Sequence, residues 1–139
     1  MAEAAADKVA FELVSPERLL FSAEVDMVVV PGSEGDFGVL PGHSLFLSQI
    51  RPGVIDIHDK GAVTGRIFVS GGFAEATPER CTVLADNALP IEDIDRPDTE
   101  QKLKDAREDL ADAKEEADRK AAERQVAVFE AMLAASARA

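Results

Sequence analysis

Tryptophan and tyrosine are absent from this sequence, histidine occurs twice and cysteine once. Each shortage removes a class of chemistry. The single thiol, Cys81, cannot form an internal disulfide, and its strand-like setting, Cys81-Thr82-Val83-Leu84, suits a buried structural thiol in a reducing compartment. With only His43 and His58 available, no Cys/His/Asp cluster has metal-ligand spacing. No serine stands in a G-x-S-x-G elbow, and no motif supplies a nucleophile with its base. Bases are scarce too: 15 Lys and Arg face 27 Asp and Glu, a formal net charge of −12. That balance argues against nucleic acid and against an anionic membrane surface, and favours a basic protein partner. No stretch approaches the roughly 20 apolar residues of a membrane-crossing helix. Residues 1–7 hold neither a basic segment followed by an apolar one nor an Arg-rich amphipathic pattern. Neither a secretory signal nor a transit peptide is therefore expected, and the sequence reads as cytoplasmic.

What is present changes character once along the sequence. Hydrophobic residues make up 46% of the 139, enough for one compact domain or a small domain with an appendage, and six of the seven Phe precede residue 74. Val9, Phe11 and Leu13 alternate on one face, a strand signal, and Ser15-Pro16-Glu17-Arg18 reads as the turn after it. Leu19-Leu20-Phe21-Ser22 resumes extended sequence, and in residues 24–30 Val25, Met27 and Val29 alternate with Glu24, Asp26 and Val28. Residues 44–50 and 54–58 are again extended. They are separated by Arg51-Pro52-Gly53, and the second is closed by the hairpin connection Asp59-Lys60-Gly61. His58 lies opposite the Ile55 and Ile57 face and reads as a surface residue. Residues 63–70 pair back, Gly71-Gly72 permits a bend before Phe73, and residues 81–85 form the last strand. Short strands with turn chemistry between them predict a flattened antiparallel β-sandwich or barrel over residues 1–90.

The densest turn chemistry lies in residues 31–43, Pro31 to His43, which hold four of the nine Gly and two of the seven Pro. The run Val28-Val29-Val30 leads into it. Gly32, Gly35 and Gly38 are spaced G-x-x-G-x-x-G, which is neither a dinucleotide fingerprint nor a P-loop, and no Lys-Ser or Lys-Thr follows. The residues alone leave two readings of this loop open, a structural turn and a contact loop.

Beyond residue 97 there is no Gly and no Pro, and Ala, Glu, Asp, Lys and Arg dominate, so residues 91–139 are predicted to be helical. The helix starts between Asp95 and Thr99, with Pro97 in its first turn. Leu103, Ala106, Leu110, Ala113 and Ala117 make one narrow apolar seam, and Ala122, Val126, Phe129 and Leu133 make another, about half a turn out of phase. One helix with a rotated stripe could produce the shift, but a two-helix hairpin turning at residues 118–121 accounts for it more simply. Glu100 with Lys104, Glu115 with Arg119 and Glu116 with Lys120 stand at i,i+4 in the favourable order. Both seams are rich in alanine, so the hairpin is expected to be held weakly. On the residues alone the protein is an interaction module; a stand-alone β-sandwich binding module or small enzyme with a helical oligomerisation tail stays open beside a subunit of a larger assembly.

The order of the pieces narrows that choice. Phe11-Glu12-Leu13-Val14-Ser15-Pro16-Glu17, then Glu34-Gly35-Asp36-Phe37-Gly38-Val39-Leu40-Pro41-Gly42-His43, then Val69-Ser70-Gly71-Gly72-Phe73 and Val83-Leu84-Ala85-Asp86, closely resemble the bacterial epsilon subunit of F-type ATP synthase, the mitochondrial delta subunit. The likeness spans essentially the whole sequence. It implies a non-catalytic central-stalk subunit, peripheral on the cytoplasmic face of the inner membrane, whose sandwich binds gamma and rests on the c-subunit ring. Rotation of the ring would then be coupled through gamma to ATP synthesis. It also implies that the loop carrying Glu34, Gly35, Asp36, Gly38 and His43 faces the ring, with Asp36 an acceptor for a basic loop residue. The helices of the family extend toward the alpha and beta subunits and brake hydrolysis. Here residues 95–139 carry 12 acids against 9 bases, which runs against a brake that engages an acidic partner. Ile94-Asp95 matches the start of the family's ATP-binding pattern, but Asp98 stands where Arg is expected, so weak or no ATP binding and no cofactor are expected.

Overall fold

The computed structural model describes residues 7–139. The reading of residues 1–7 as free of a leader therefore falls, apart from Asp7, outside the described residues. The protein divides into two compact units, Met1–Pro90 and Ile91–Ala139.

The first unit is a β-sandwich. Its strands are β1 (Val9–Val14), β2 (Leu19–Val25), β3 (Met27–Gly32), β4 (Gly35–Val39), β5 (Phe46–Ile50), β6 (Gly53–Asp59), β7 (Ala62–Val69), β8 (Gly72–Ala76), β9 (Arg80–Ala85) and β10 (Ala88–Pro90). They follow the order β10-β7-β6-β3-β5-β8-β9-β1-β2, with β4 paired to β3 off that path. The link from one layer to the other is narrow, the single pairing of Gly32 on β3 with Ile50 on β5. Alternation places Phe11, Leu13, Ile50 and Val83 of one layer against Val28, Val30, Ile55 and Val69 of the other, all in one buried cluster. The expected sandwich forms, with one departure: β1 and β9 run parallel. No hairpin joins them, so nothing local dictates their direction.

Two local expectations need correction. Residues 24–30 are not one strand. The backbone breaks at Asp26, whose N–H donates to the His58 carbonyl at 3.0 Å and whose carboxylate accepts from the Lys60 N–H at 2.7 Å. The break shifts the alternation by one, so Val25, Val28 and Val30 are buried while Met27 and Val29 are half-buried. Residues 31–43 are not simply a loop either. Pro31 and Gly32 complete β3, residues 33–34 turn, and β4 pairs back from Gly32↔Gly35 to Val28↔Val39. The Gly and Pro content marked a hairpin whose strands are too rich in them to look like strands.

In the second unit a short 3₁₀ turn, Ile91–Asp93, precedes helices α1 (Arg96–Asp112) and α2 (Glu116–Ser136). Asp95 caps α1, its carboxylate accepting the Asp98 N–H at 3.0 Å, and Pro97 sits in the first turn. The hairpin turn lies at residues 113–115, earlier than the 118–121 read from periodicity. Ala113 and Glu115 both leave the helical region, with ψ of 130° and 146°. The first seam buries Thr99, Leu103 and Ala106, whereas Ala117 is exposed. Alanine is too small to mark a seam, so the apparent period ran past the end of the helix. The ion pairs along the helices are Asp98 with Lys102 at 3.0 Å and Glu116 with Arg119 at 3.6 Å, in place of those read from spacing. Across the hairpin, Arg96 donates to the Ser136 hydroxyl at 2.7 Å, and Arg107 pairs with Glu130 at 3.0 Å.

Candidate functional site

Chemical machinery does not converge anywhere in the described residues. No three His, Cys, Asp or Glu side chains there could hold a metal ion. Burial pushes the Cys81 thiol up to about 12, so it stays protonated and unreactive at neutral pH. Two concavities among the described residues are open and mixed in polarity. One of about 370 Å³ lies between the Ser15 to Arg18 turn and Asp86, and one of about 410 Å³ beside the helix turn is lined by Asp109, Asp112 and Asp118. Neither has the enclosed apolar lining of a small-molecule site.

What the sandwich offers instead is surface. The β3–β4 hairpin puts Glu34 at its tip, exposed, with Gly35 beside it at φ 131°. Asp36 follows on β4, and its side chain is 60% exposed. It is not free: the Arg51 guanidinium donates to it at 2.6 Å and, through its other terminal nitrogen, to the Gly32 carbonyl at 2.6 Å. Gly38 is exposed on the same strand, where a β-carbon would stand 3.4 Å from the Met27 sulfur. The backbone then leaves the sheet. The Gly42 N–H donates to the Pro78 carbonyl at 2.8 Å, which ties residues 40–45 to the β8–β9 connection. His43 donates from Nδ1 to the Ser44 carbonyl at 2.6 Å and lies 6.2 Å from the Phe46 ring, which meets Phe37 edge-on at 5.0 Å. His43 is thus half-buried and shapes this turn, while Leu40, Leu45 and Leu47 stand exposed around it. Ile94 and Asp95 lie elsewhere, in the helical unit, where Asp95 serves as the cap of α1.

A second apolar surface was missed in the sequence. On the outer face of the layer formed by β5, β8, β9, β1 and β2, register aligns Phe73 with Leu84, Leu84 with Val14, and Val14 with Leu19. Phe73 is 56% exposed, Leu84 44% and Leu19 56%. These side chains stand next to one another across neighbouring strands, so they form a row and not scattered exposure. Each residue sits in a different strand segment, so only strand pairing reveals the row. Arg51 was likewise passed over, because at that position only a corner, Arg51-Pro52-Gly53, was legible.

Polar ties elsewhere in the sandwich are structural. Lys8 bridges Asp26 at 2.8 Å and Asp59 at 2.5 Å, joining the start of β1 to two connections. Hydrogen bonds to those two carboxylates raise the Lys8 ammonium to about 12, and the bond from Lys8, then that from the Lys60 N–H, hold Asp26 below the usual carboxylate range.

Comparison with known proteins agrees with this geometry. Residues 8–91 match the model of the beta-sandwich domain of the ATP synthase Delta/Epsilon chain, and residues 95–139 that of the C-terminal domain of the ATP synthase epsilon chain. The ATP synthase epsilon chain of Paramagnetospirillum magneticum is 53% identical over 132 residues, covering 95% of this chain and 99% of that one. That of Maricaulis maris is 54% identical over 132 residues, with 95% and 98% covered. Among solved structures, one subunit in the cryo-EM structure of Euglena gracilis mitochondrial ATP synthase (OSCP/F1/c-ring, rotational state 1) superposes with a TM-score of 0.80 at 27% identity, over 93% of this protein and 81% of that one. One subunit of the Tetrahymena thermophila mitochondrial ATP synthase central stalk and c-ring shares the fold, with a TM-score of 0.66 at 16% identity over 93% and 96% of the two. The reading as a stand-alone module or small enzyme falls away: this protein belongs to the ATP synthase epsilon chain family, the non-catalytic subunits of that complex.

Proposed function

We propose that the protein works in the central stalk, carrying rotation of the c-subunit ring to gamma and so to ATP synthesis. The exposed apolar row of Phe73, Leu84 and Leu19 carries this reading, since an isolated sandwich would leave that row in water. On this reading the row is the surface offered to gamma. The hairpin and the turn beside it, with Glu34, Gly35, Asp36, Gly38 and His43, are the footing on the polar loops of the ring. The exposed Leu40, Leu45 and Leu47 give that footing apolar area that the charged tip lacks. The protein is then peripheral on the cytoplasmic face of the inner membrane, held there through the complex; no helix among the described residues is long and apolar enough to cross a membrane. Helices α1 and α2 are assigned the lesser role, a regulatory contact with the alpha and beta subunits. Their acid excess and the loss of the basic position at Asp98 support neither a strong brake nor an ATP site.

Copurification tests the reading. The intact protein is expected to bring down gamma, and Phe73→Asp, which sets a carboxylate in place of the largest side chain of the row, at its β8 end, to lose most of it. Truncated anchors of this type typically cost about 2 kcal/mol or more, roughly thirtyfold in affinity. Undiminished recovery of gamma by Phe73→Asp would remove the row from the interface.

A further inference from the structure

The hairpin that carries the ring-facing residues leaves the sandwich at its narrowest joint. There β3 changes partner from β6 to β5, and Pro31, lacking an N–H, stands at the change. The corner at residues 51–53 is pressed against it. The Arg51 N–H donates to the Pro31 carbonyl at 3.0 Å, and the Ser33 N–H to the Gln49 carbonyl at 2.9 Å. Gly53 must lack a side chain, because a β-carbon there would stand 2.9 Å from that of Pro31.

From this corner a single side chain reaches both strands of the hairpin. Arg51 donates to Gly32 on β3 and to Asp36 on β4, each at 2.6 Å. A two-pronged guanidinium fixes direction as well as distance, which a lysine at the same place would not. We propose that Arg51 is a positioning residue: it braces the hairpin against the β5–β6 corner, so that sideways force on the tip passes into the sandwich instead of bending the hairpin. Asp36 then serves chiefly to hold Arg51, and its charge is answered within the protein rather than by a basic residue of the ring. The proposal rests on the central-stalk reading and adds to it the part that keeps the footing stiff.

The test uses the whole ATP synthase complex in vesicles, comparing ATP-driven proton pumping with ATP hydrolysis. Asp36→Arg and Arg51→Asp are each expected to lower the pumping-to-hydrolysis ratio by about threefold or more. The double exchange should restore most of it, as for two groups in direct contact. Arg51→Lys should fall between, keeping the charge and losing one prong. The pair is exposed, so the melting midpoint of the protein should move by no more than about 3 °C in any variant, which separates positioning from simple stability. In the isolated full-length protein, Arg51→Met should also speed hydrogen exchange at residues 33–38. If Asp36→Arg alone uncouples and the double exchange does not restore coupling, Asp36 meets the ring directly and the brace is wrong. Unchanged coupling in every variant overturns it equally. Copurification with gamma is scored in parallel: its absence in the unaltered protein would sink the stalk reading, whereas its retention with the outcomes above sinks the brace alone.

Discussion

The two units of this protein close their interiors with different materials. In the sandwich, Phe11, Leu13, Ile55 and Val83 are at most 1% exposed, and both layers contribute to one cluster. In the helical unit the buried residues are Ile91, Thr99, Leu103 and three alanines, while Val126, Phe129 and Leu133 are only half-buried. A fully buried large side chain contributes about 1.5–3 kcal/mol, whereas an alanine adds little more than a single carbon's worth, about 0.8 kcal/mol. The helices lean correspondingly on exposed polar ties such as Arg107 with Glu130, each contributing at most about 1 kcal/mol. The same number of residues in a helix thus yields far less cohesion than in the sheet. A rigid sandwich suits a footing that must not yield, and a loosely held hairpin suits a segment that can rearrange.

The largest expected effect that would test this contrast is backbone strain at Gly72. It holds φ 138°, and a β-carbon there would lie 2.0 Å from the Leu84 carbonyl oxygen. Gly72→Ala should cost the sandwich about 5 kcal/mol or more, at the exceptional end for one substitution, read from its urea midpoint. Next come paired truncations. Phe11→Ala should cost about 3–5 kcal/mol and Leu103→Ala about 2 kcal/mol, with amide exchange rising in β1 and β9 for the first and in α1 for the second. Equal costs would erase the contrast. The smallest effect is electrostatic. Asp26 is held below its ordinary 3.8, so its contribution is present above that value and lost as pH falls through the lowered one. Lys8 is raised from 10.5 to about 12, so its contribution is complete below 10.5 and lost as pH rises through about 12. Asp26→Asn should therefore flatten the loss of sandwich stability as pH falls through the acid range, followed by circular dichroism, without altering that of the helices.

Much of the architecture was legible because it is local. The alternation of Val9, Phe11 and Leu13, the Asp59-Lys60-Gly61 connection and the Gly- and Pro-free tail each report a backbone preference within a few residues. The connection forms as read, with Lys60 and Gly61 both at positive φ. The failures share a cause. Asp26 broke a strand because of what His58 and Lys60 offered it across the sheet, and β4 hid among glycines because its strand character comes from pairing with β3 rather than from its own side chains. The end of α1 was misplaced where alanine left the period unmarked.

The site divides the same way. Sequence alone determined that no nucleophile, metal-ligand or phosphate-loop motif is present, that acids outnumber bases, that β structure gives way to helix near residue 90, and that Pro31 to His43 is a place of special shape. All of that follows from residue type and short-range spacing. Only the tertiary structure decided that Phe73, Leu84, Val14 and Leu19 form one surface, and that Asp36 is already held by Arg51. Those facts depend on which strands become neighbours and in what register, and that is settled by how the two layers bury their shared core, not by any window of sequence.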